Sequence, residues 1–167
     1  MKKKVERNYL EINSLKELNY SDINPENFHI ELVEPVNFQL NKFFYKSIGK
    51  KHNWVDRLTW SENQWIKYTS NTKVKTYILK NKDDLAGYFE LIIHKDKGEV
   101  EIAYLGLLEE FHNKKLGSYL LTLAIKNSFL EEPKRVWVHT CSLDHKNALK
   151  NYLSRGMKVF KREMISI

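Results

Sequence analysis

Leu105-Gly-Leu-Leu-Glu-Glu-Phe-His-Asn-Lys-Lys-Leu-Gly-Ser-Tyr-Leu-Leu121 joins the end of an apolar strand to the start of an apolar helix through a short, polar, basic turn. A helix start leaves several backbone N–H groups without intrahelical acceptors, and a turn that gathers them can hold a phosphate. Lys114 and Lys115 place two cations beside that point, and Gly117 lets a ligand approach the chain closely. The segment reads as an anion cradle, although two lysines at a turn are also an ordinary solvated surface.

Working outward, the chain alternates strand and helix patterns. Val5 to Ile12 and Phe28 to Val33 alternate as strands, the second with Phe28, Ile30 and Leu32 on one face. Helical spacing follows in Phe38, Leu40, Phe43, Phe44 and Ile48, and Ser61-Glu-Asn-Gln64 has the form of a capping box opening a helix through Trp65 and Tyr68. Thr76 to Lys80, Gly87 to Ile93 and Glu99 to Leu107 form an antiparallel meander, turning at Asn81-Lys-Asp-Asp84 and Lys97-Gly98. A regular pleat places Glu101, Ala103, Leu105 and Leu107 on one face.

After the cradle, Leu116, Leu120, Leu123 and Ala124 make the buried stripe of a helix that stops before Glu131-Glu-Pro133. Arg135 to Cys141 is a strand, apolar on both faces up to Val138 and so interior to the sheet. A helix from Asp144 or His145 carries Ala148, Leu149, Tyr152 and Leu153 and ends at Gly156, and Met157 to Ile165 is the last strand. The strand, helix, strand unit over residues 99–141 implies a parallel pair attached to an antiparallel meander. The expected class is α/β (α+β), a mixed, mostly antiparallel sheet flanked by helices.

Composition narrows the functional classes. With 167 residues, 42% of them hydrophobic, the chain suits one well-filled core, so residues 1–167 are expected to be a single domain. No stretch approaches the roughly 18 apolar residues of a membrane span. Met1-Lys-Lys-Lys4 begins like a signal peptide, but Val5-Glu-Arg-Asn-Tyr9 follows instead of an apolar run, so a cytoplasmic protein is expected. A lone Cys141 forms no internal disulfide, and six scattered His lack a helical metal-binding spacing, so no metal is expected. The net charge of +7 favours an anionic partner without choosing among nucleic acid, a membrane surface, an acidic substrate and a phosphorylated cofactor. Lysines spread along the whole chain, without an arginine-rich block, disfavour nucleic acid.

The element order and the cradle together resemble the GNAT superfamily of acyl-CoA-dependent N-acetyltransferases. That family's signature, Arg or Gln, two residues, Gly, one residue, then Gly or Ala, falls on His112-Asn-Lys-Lys-Leu-Gly117, with His112 for the Arg or Gln and Lys115 for the first Gly. The family's later motif appears as Ala148, Tyr152, Gly156 and Met157, with His145 where its relatives carry Asn. The likeness runs from about residue 75 to 165, a cofactor-binding core, and covers little of the first 70 residues, of which about 35–72 would supply the acceptor side.

The resemblance implies a splayed parallel strand pair whose gap takes the pantetheine arm of acetyl-CoA, paired with the backbone at Leu105 and Leu107 opposite Val138 to Cys141. The pyrophosphate would meet His112, Asn113, Lys114, Lys115, Leu116, Gly117 and Ser118, with Lys115 either adding a salt bridge or crowding the phosphate. It implies direct transfer of acetyl to a primary amine in a ternary complex, with Tyr152 as the acid for the departing sulfur. Tyr152 also fits as a core aromatic beside Leu149 and Leu153.

Glu101 stands at the spacing at which relatives that acetylate lysine keep a carboxylate base, and Tyr104, His139 and His145 are alternative proton carriers. A strand bulge would change the face on which Tyr104 and Glu101 sit. Cys141 reads as packing and Trp54, Trp60 and Trp65, in the first two helices, as core, although one Trp or Tyr68 at the acceptor wall would touch substrate. A non-catalytic acyl-CoA sensor and a basic RNA-associated domain remain as rivals, and a homodimer through a sheet edge is compatible with such a fold.

Overall fold

The computed structural model describes residues 1–167. Its strands are β1 (Lys4–Ile12), β2 (Phe28–Leu32), β3 (Val74–Asn81), β4 (Asp84–His94), β5 (Glu99–Leu107), β6 (Arg135–Cys141) and β7 (Lys158–Ser166). Its helices are α1 (Phe38–Gly49), α2 (Glu62–Thr69), α3 (Leu116–Phe129) and α4 (Ala148–Ser154). The element order is the one expected from the hydrophobic periodicity.

All seven strands form one sheet in the order β2-β3-β4-β5-β6-β1-β7. Only β5 and β6 run parallel, and they pair only over Glu99 to Glu101 with Arg135 to Trp137. Beyond that point β5 continues to Leu107 and β6 to Cys141 without pairing, so the sheet opens into a V. β6 is interior, as its apolar run implied, because its other edge pairs with β1 from Val136 to Cys141.

The pairing of β4 with β5 slips between Glu90 and Leu91: Glu90 opposes Tyr104, while Leu91 opposes Ile102. Ala103 is the extra residue. This bulge corrects the expectation of a regular pleat, because Glu101 now shares a face with Tyr104 and Gly106, while Leu105 and Leu107 point to the other side.

α1 and α2 cover the first of these faces over β3 to β5. Phe44 of α1 stacks on Tyr88 of β4 with ring centroids 4.8 Å apart. A Cβ on Gly106 would lie 2.7 Å from Ile48, so glycine is what lets α1 settle on β5. α3 packs on the other face against β4, β5 and β6. There Leu120, Leu121, Ala124 and Ile125 join Leu10, Ile12, Val100, Val136 and Val138 in the main core.

Two local expectations change. α4 starts at Ala148 rather than at Asp144 or His145, because the Asp144 carboxylate accepts from the Thr140 hydroxyl and the Cys141 N–H and holds residues 141–144 as a turn. Trp54 and Trp60 lie in the loop between α1 and α2, and only Trp65 sits in a helix and is fully buried. Capping follows the sequence elsewhere: Ser61 and Gln64 form the reciprocal capping box of α2, and Gly156, at φ +101°, follows α4.

Candidate active site

The V between β5 and β6 opens into a cleft of about 1260 Å³ that passes through the sheet. Its α3 side is bounded by the turn before α3 and by Asn151 and Tyr152 of α4, and its other side by Trp54, Asp56 and Arg57 of the α1–α2 loop.

The free edge of β5 follows from its pairing with β4. Leu108 N–H donates to Ala86 O, so in an antiparallel ladder the intervening pair Gly87 and Leu107, and likewise Phe89 and Leu105, direct their peptide groups away from each other. Those of Leu105 and Leu107 therefore face the gap. The His112 ring reaches back and donates from Nε2 to Leu107 O at 3.0 Å, which fixes its tautomer.

At the end of that edge, the backbone N–H groups of Asn113, Lys114, Lys115, Leu116, Gly117 and Ser118 find no acceptor in the protein. Asn113 at φ +62° and Lys115 at φ +60° are both left-handed, which curls the chain around its own amides. Lys115, at the position where the signature of the resemblance has glycine, thus adopts a conformation that glycine takes at no steric cost.

Gly117 has ordinary helical geometry, and a Cβ there would meet nothing nearer than Asn151 Nδ2 at 3.8 Å. Its missing side chain serves no packing inside the protein, and the space over it is open. The Lys114 side chain turns out of the cleft, its Nζ 5.6 Å from the Phe111 ring centre, so of the two lysines only Lys115 faces the cleft and Lys114 contributes its amide.

Tyr152 lies in the cleft wall with 8% of its surface exposed. Burial, with the nearby Asp144 adding to it, raises its phenol pKa well above the ordinary value, so the hydroxyl holds its proton. Glu101 also lines the cleft, but its Oε1 accepts from His94 Nε2 at 3.1 Å. His139 projects from β6 into the cleft, and Cys141 lies farther along the same strand.

Two groupings had no single motif in the sequence. Arg57 and Glu90 are buried together: Nη1 lies 2.9 Å from Oε1, Tyr68 Oη donates to Oε1 at 2.7 Å, and Asn41 Nδ2 donates to Oε2 at 3.0 Å. Aromatic rings of Tyr45, Trp60, Trp65, Tyr68 and Tyr104 surround the guanidinium. Burial opposes its charge, but Glu90 beside it outweighs that and keeps the guanidinium protonated. The available signal was Glu90 itself, a lone charge inside Tyr88-Phe-Glu-Leu-Ile-Ile93.

The second grouping spans the cleft mouth. His52 of the α1–α2 loop meets His145 at 5.8 Å between ring centres, and His145 meets His112 at 5.5 Å. Burial depresses the pKa of both His52 and His145, and neighbouring imidazoles add to it. No three His, Cys, Asp or Glu side chains converge closely enough to hold a metal ion.

The acetyltransferase (GNAT) family model matches residues 36–157. The chain belongs to this family. Solved structures of GNAT fold agree with the architecture at low identity. A GCN5-related N-acetyltransferase from Sphaerobacter thermophilus superposes with a TM-score of 0.71 at 12% identity, covering 96% of this chain and 50% of that one. One from Kribbella flavida gives 0.67 at 12% identity, covering 96% and 57%. An aminoglycoside acetyltransferase from an uncultured soil metagenomic sample gives 0.64 at 13% identity, covering 77% and 87%. This GNAT chain thus spans only about half the length of the first two structures. No curated protein matches its sequence.

Proposed function

We infer that this GNAT protein transfers an acetyl group from acetyl-CoA directly to a primary amine within a ternary complex. The observation that carries the reading is the run of six acceptorless backbone N–H groups, Asn113 to Ser118, at the end of the open edge of β5. The run suits a pyrophosphate, and the outward peptide groups of Leu105 and the free N–H of Leu107, whose carbonyl is taken by His112, suit the amides of a pantetheine arm. Lys115 adds a cation at the cleft wall, and the open space over Gly117 admits the phosphates.

When bound, acetyl-CoA supplies an activated thioester carbonyl. The chain's own part is to align it with the amine and to manage protons, and alignment is the larger contribution. Tyr152, kept protonated by its burial, holds a proton at Oη for the departing sulfur. Glu101 and Asp56 place negative charge on the acceptor side of the cleft and draw an ammonium toward the gap. The α1–α2 loop, pinned by Arg57 on Glu90, forms the acceptor wall with Trp54.

The test is calorimetric titration with acetyl-CoA together with free-thiol release over a panel of polyamines, aminoglycosides, peptide N-termini and lysine peptides. Micromolar binding plus amine-dependent thiol release is the expected result. Binding without thiol release for any amine, and no change on Tyr152→Phe, sinks the enzymatic reading.

A further inference from the structure

His139 is the one imidazole in the middle of the opening. It follows Trp137, the last residue of β6 paired with β5, by two positions, so it projects from the same face as Glu101 and Tyr104 just where the strands part. Its ring is seated by Tyr9 at 5.6 Å and Trp137 at 6.4 Å between centres. The remainder of the ring faces the cleft, exposed and free of any hydrogen bond or ion pair within the protein. Glu101, by contrast, is held by His94 at 3.1 Å.

The geometry points to His139 as the base that takes the proton from the acceptor's ammonium, with Glu101 as the charge that stabilises the resulting imidazolium. This assignment rests on the acetyltransferase reading above. The charged groups around the ring come from every element against it: Arg7 of β1, Glu101 of β5, Asp144 of the turn before α4 and Asp56 of the α1–α2 loop. The ring's surface stays open to the cleft, but the walls around it displace enough water that desolvation, with Arg7 adding to it, lowers the imidazole's pKa below its usual 6.5, so the free base predominates at neutral pH. The acids on three sides keep protonation within reach.

The protons balance. An ammonium R–NH3+ gives one proton to a free ring nitrogen of His139, directly or through one water, and becomes the nucleophile. The amine nitrogen then bonds to the thioester carbon, the carbon–sulfur bond breaks, and sulfur leaves with its electron pair. Tyr152 gives that sulfur a proton and is made good by the second proton lost from nitrogen. His139 returns its proton to solvent, and the net products are the amide, free thiol and one proton.

The experiment uses the full chain, acetyl-CoA and the best amine from the panel, with His139→Ala and the nearer-sized His139→Gln. Both variants should bind acetyl-CoA as the wild type does by calorimetry, while kcat at pH 7 falls by about 10²-fold, the usual scale for losing a general base. The wild-type kcat/KM profile should fall on acidification through a value below 6.5, matching the His139 titration followed by NMR in the free protein. That limb should vanish in the variants, and added imidazole should restore rate to His139→Ala.

Unchanged kcat and profile in the variants, a limb removed instead by Glu101→Gln, or loss of acetyl-CoA binding in both His139 variants overturns the assignment while leaving the acetyltransferase reading intact. A wild-type protein that releases no thiol with any amine overturns both.

Discussion

The Arg57 guanidinium meets the Glu90 carboxylate at 2.9 Å with both side chains sealed from solvent, Glu90 fully and Arg57 to within 7%. Neither charge is tolerable there alone. Glu90→Ala strands Arg57 among five aromatic rings, and breaking a buried pair in this way is expected to lower stability by about 3–5 kcal/mol in urea unfolding. Replacing both with apolar residues of matching volume should recover most of that loss while loosening the α1–α2 loop. A raised KM for the amine, with acetyl-CoA affinity unchanged, would report that loosening.

Gly117→Ala separates ligand space from fold. The position is helical and a methyl meets no protein atom within 3.8 Å, so the variant should be as stable as the parent or better by up to about 1 kcal/mol. Acetyl-CoA affinity should fall at least tenfold by calorimetry, because the methyl occupies the approach to the cradle. Unaltered affinity would move the pyrophosphate away from α3.

Lys115→Gly tests the substituted signature position. A left-handed non-glycine residue carries roughly 1 kcal/mol of strain, so a rise in melting temperature is expected for the glycine variant. Loss of the cation should also flatten the salt dependence of acetyl-CoA binding. Tighter binding with an unchanged salt dependence would mean that Lys115 crowds the phosphates instead of pairing with them.

Tyr152→Phe removes only an oxygen from a buried ring. Melting temperature and acetyl-CoA binding should hold while thiol release drops by about 10²-fold with the best amine. Equal loss with an amine and with none would point to altered cofactor placement.

The His52, His145 and His112 contacts at the cleft mouth make stability depend on pH. Burial depresses the His52 and His145 pKa values in the fold, so below the usual 6.5 the unfolded chain binds more protons than the folded one. That stability is fully present above about pH 7 and lost as pH falls through the window beneath 6.5. Denaturant titrations between pH 5 and pH 8 should show the loss, and His145→Asn should reduce it.

Strand and helix periodicity was readable because each element buries one face: Phe28, Ile30 and Leu32 alternate, and Leu116, Leu120 and Ala124 recur at helical spacing. The turn of free amides before α3 was readable because its parts are contiguous, from Leu105 to Leu121. The facing of Glu101 was not, since one bulged residue, Ala103, reverses everything after it and depends on how β4 is laid against β5. The start of α4 was missed for a similar reason: Asp144 bonds to Thr140 and Cys141 rather than opening the helix.

Local propensity and contiguous chemistry therefore determined the order of elements, the polar turn before α3 and, through resemblance, the family. What tertiary structure alone decided is which distant groups share a space: Arg57 with Glu90, His52 with His145, and His139 with Glu101 and Asp56 across the gap. Those meetings depend on strand register and on a loop folding over the opening, quantities set by packing between segments far apart in the chain, which no local pattern encodes.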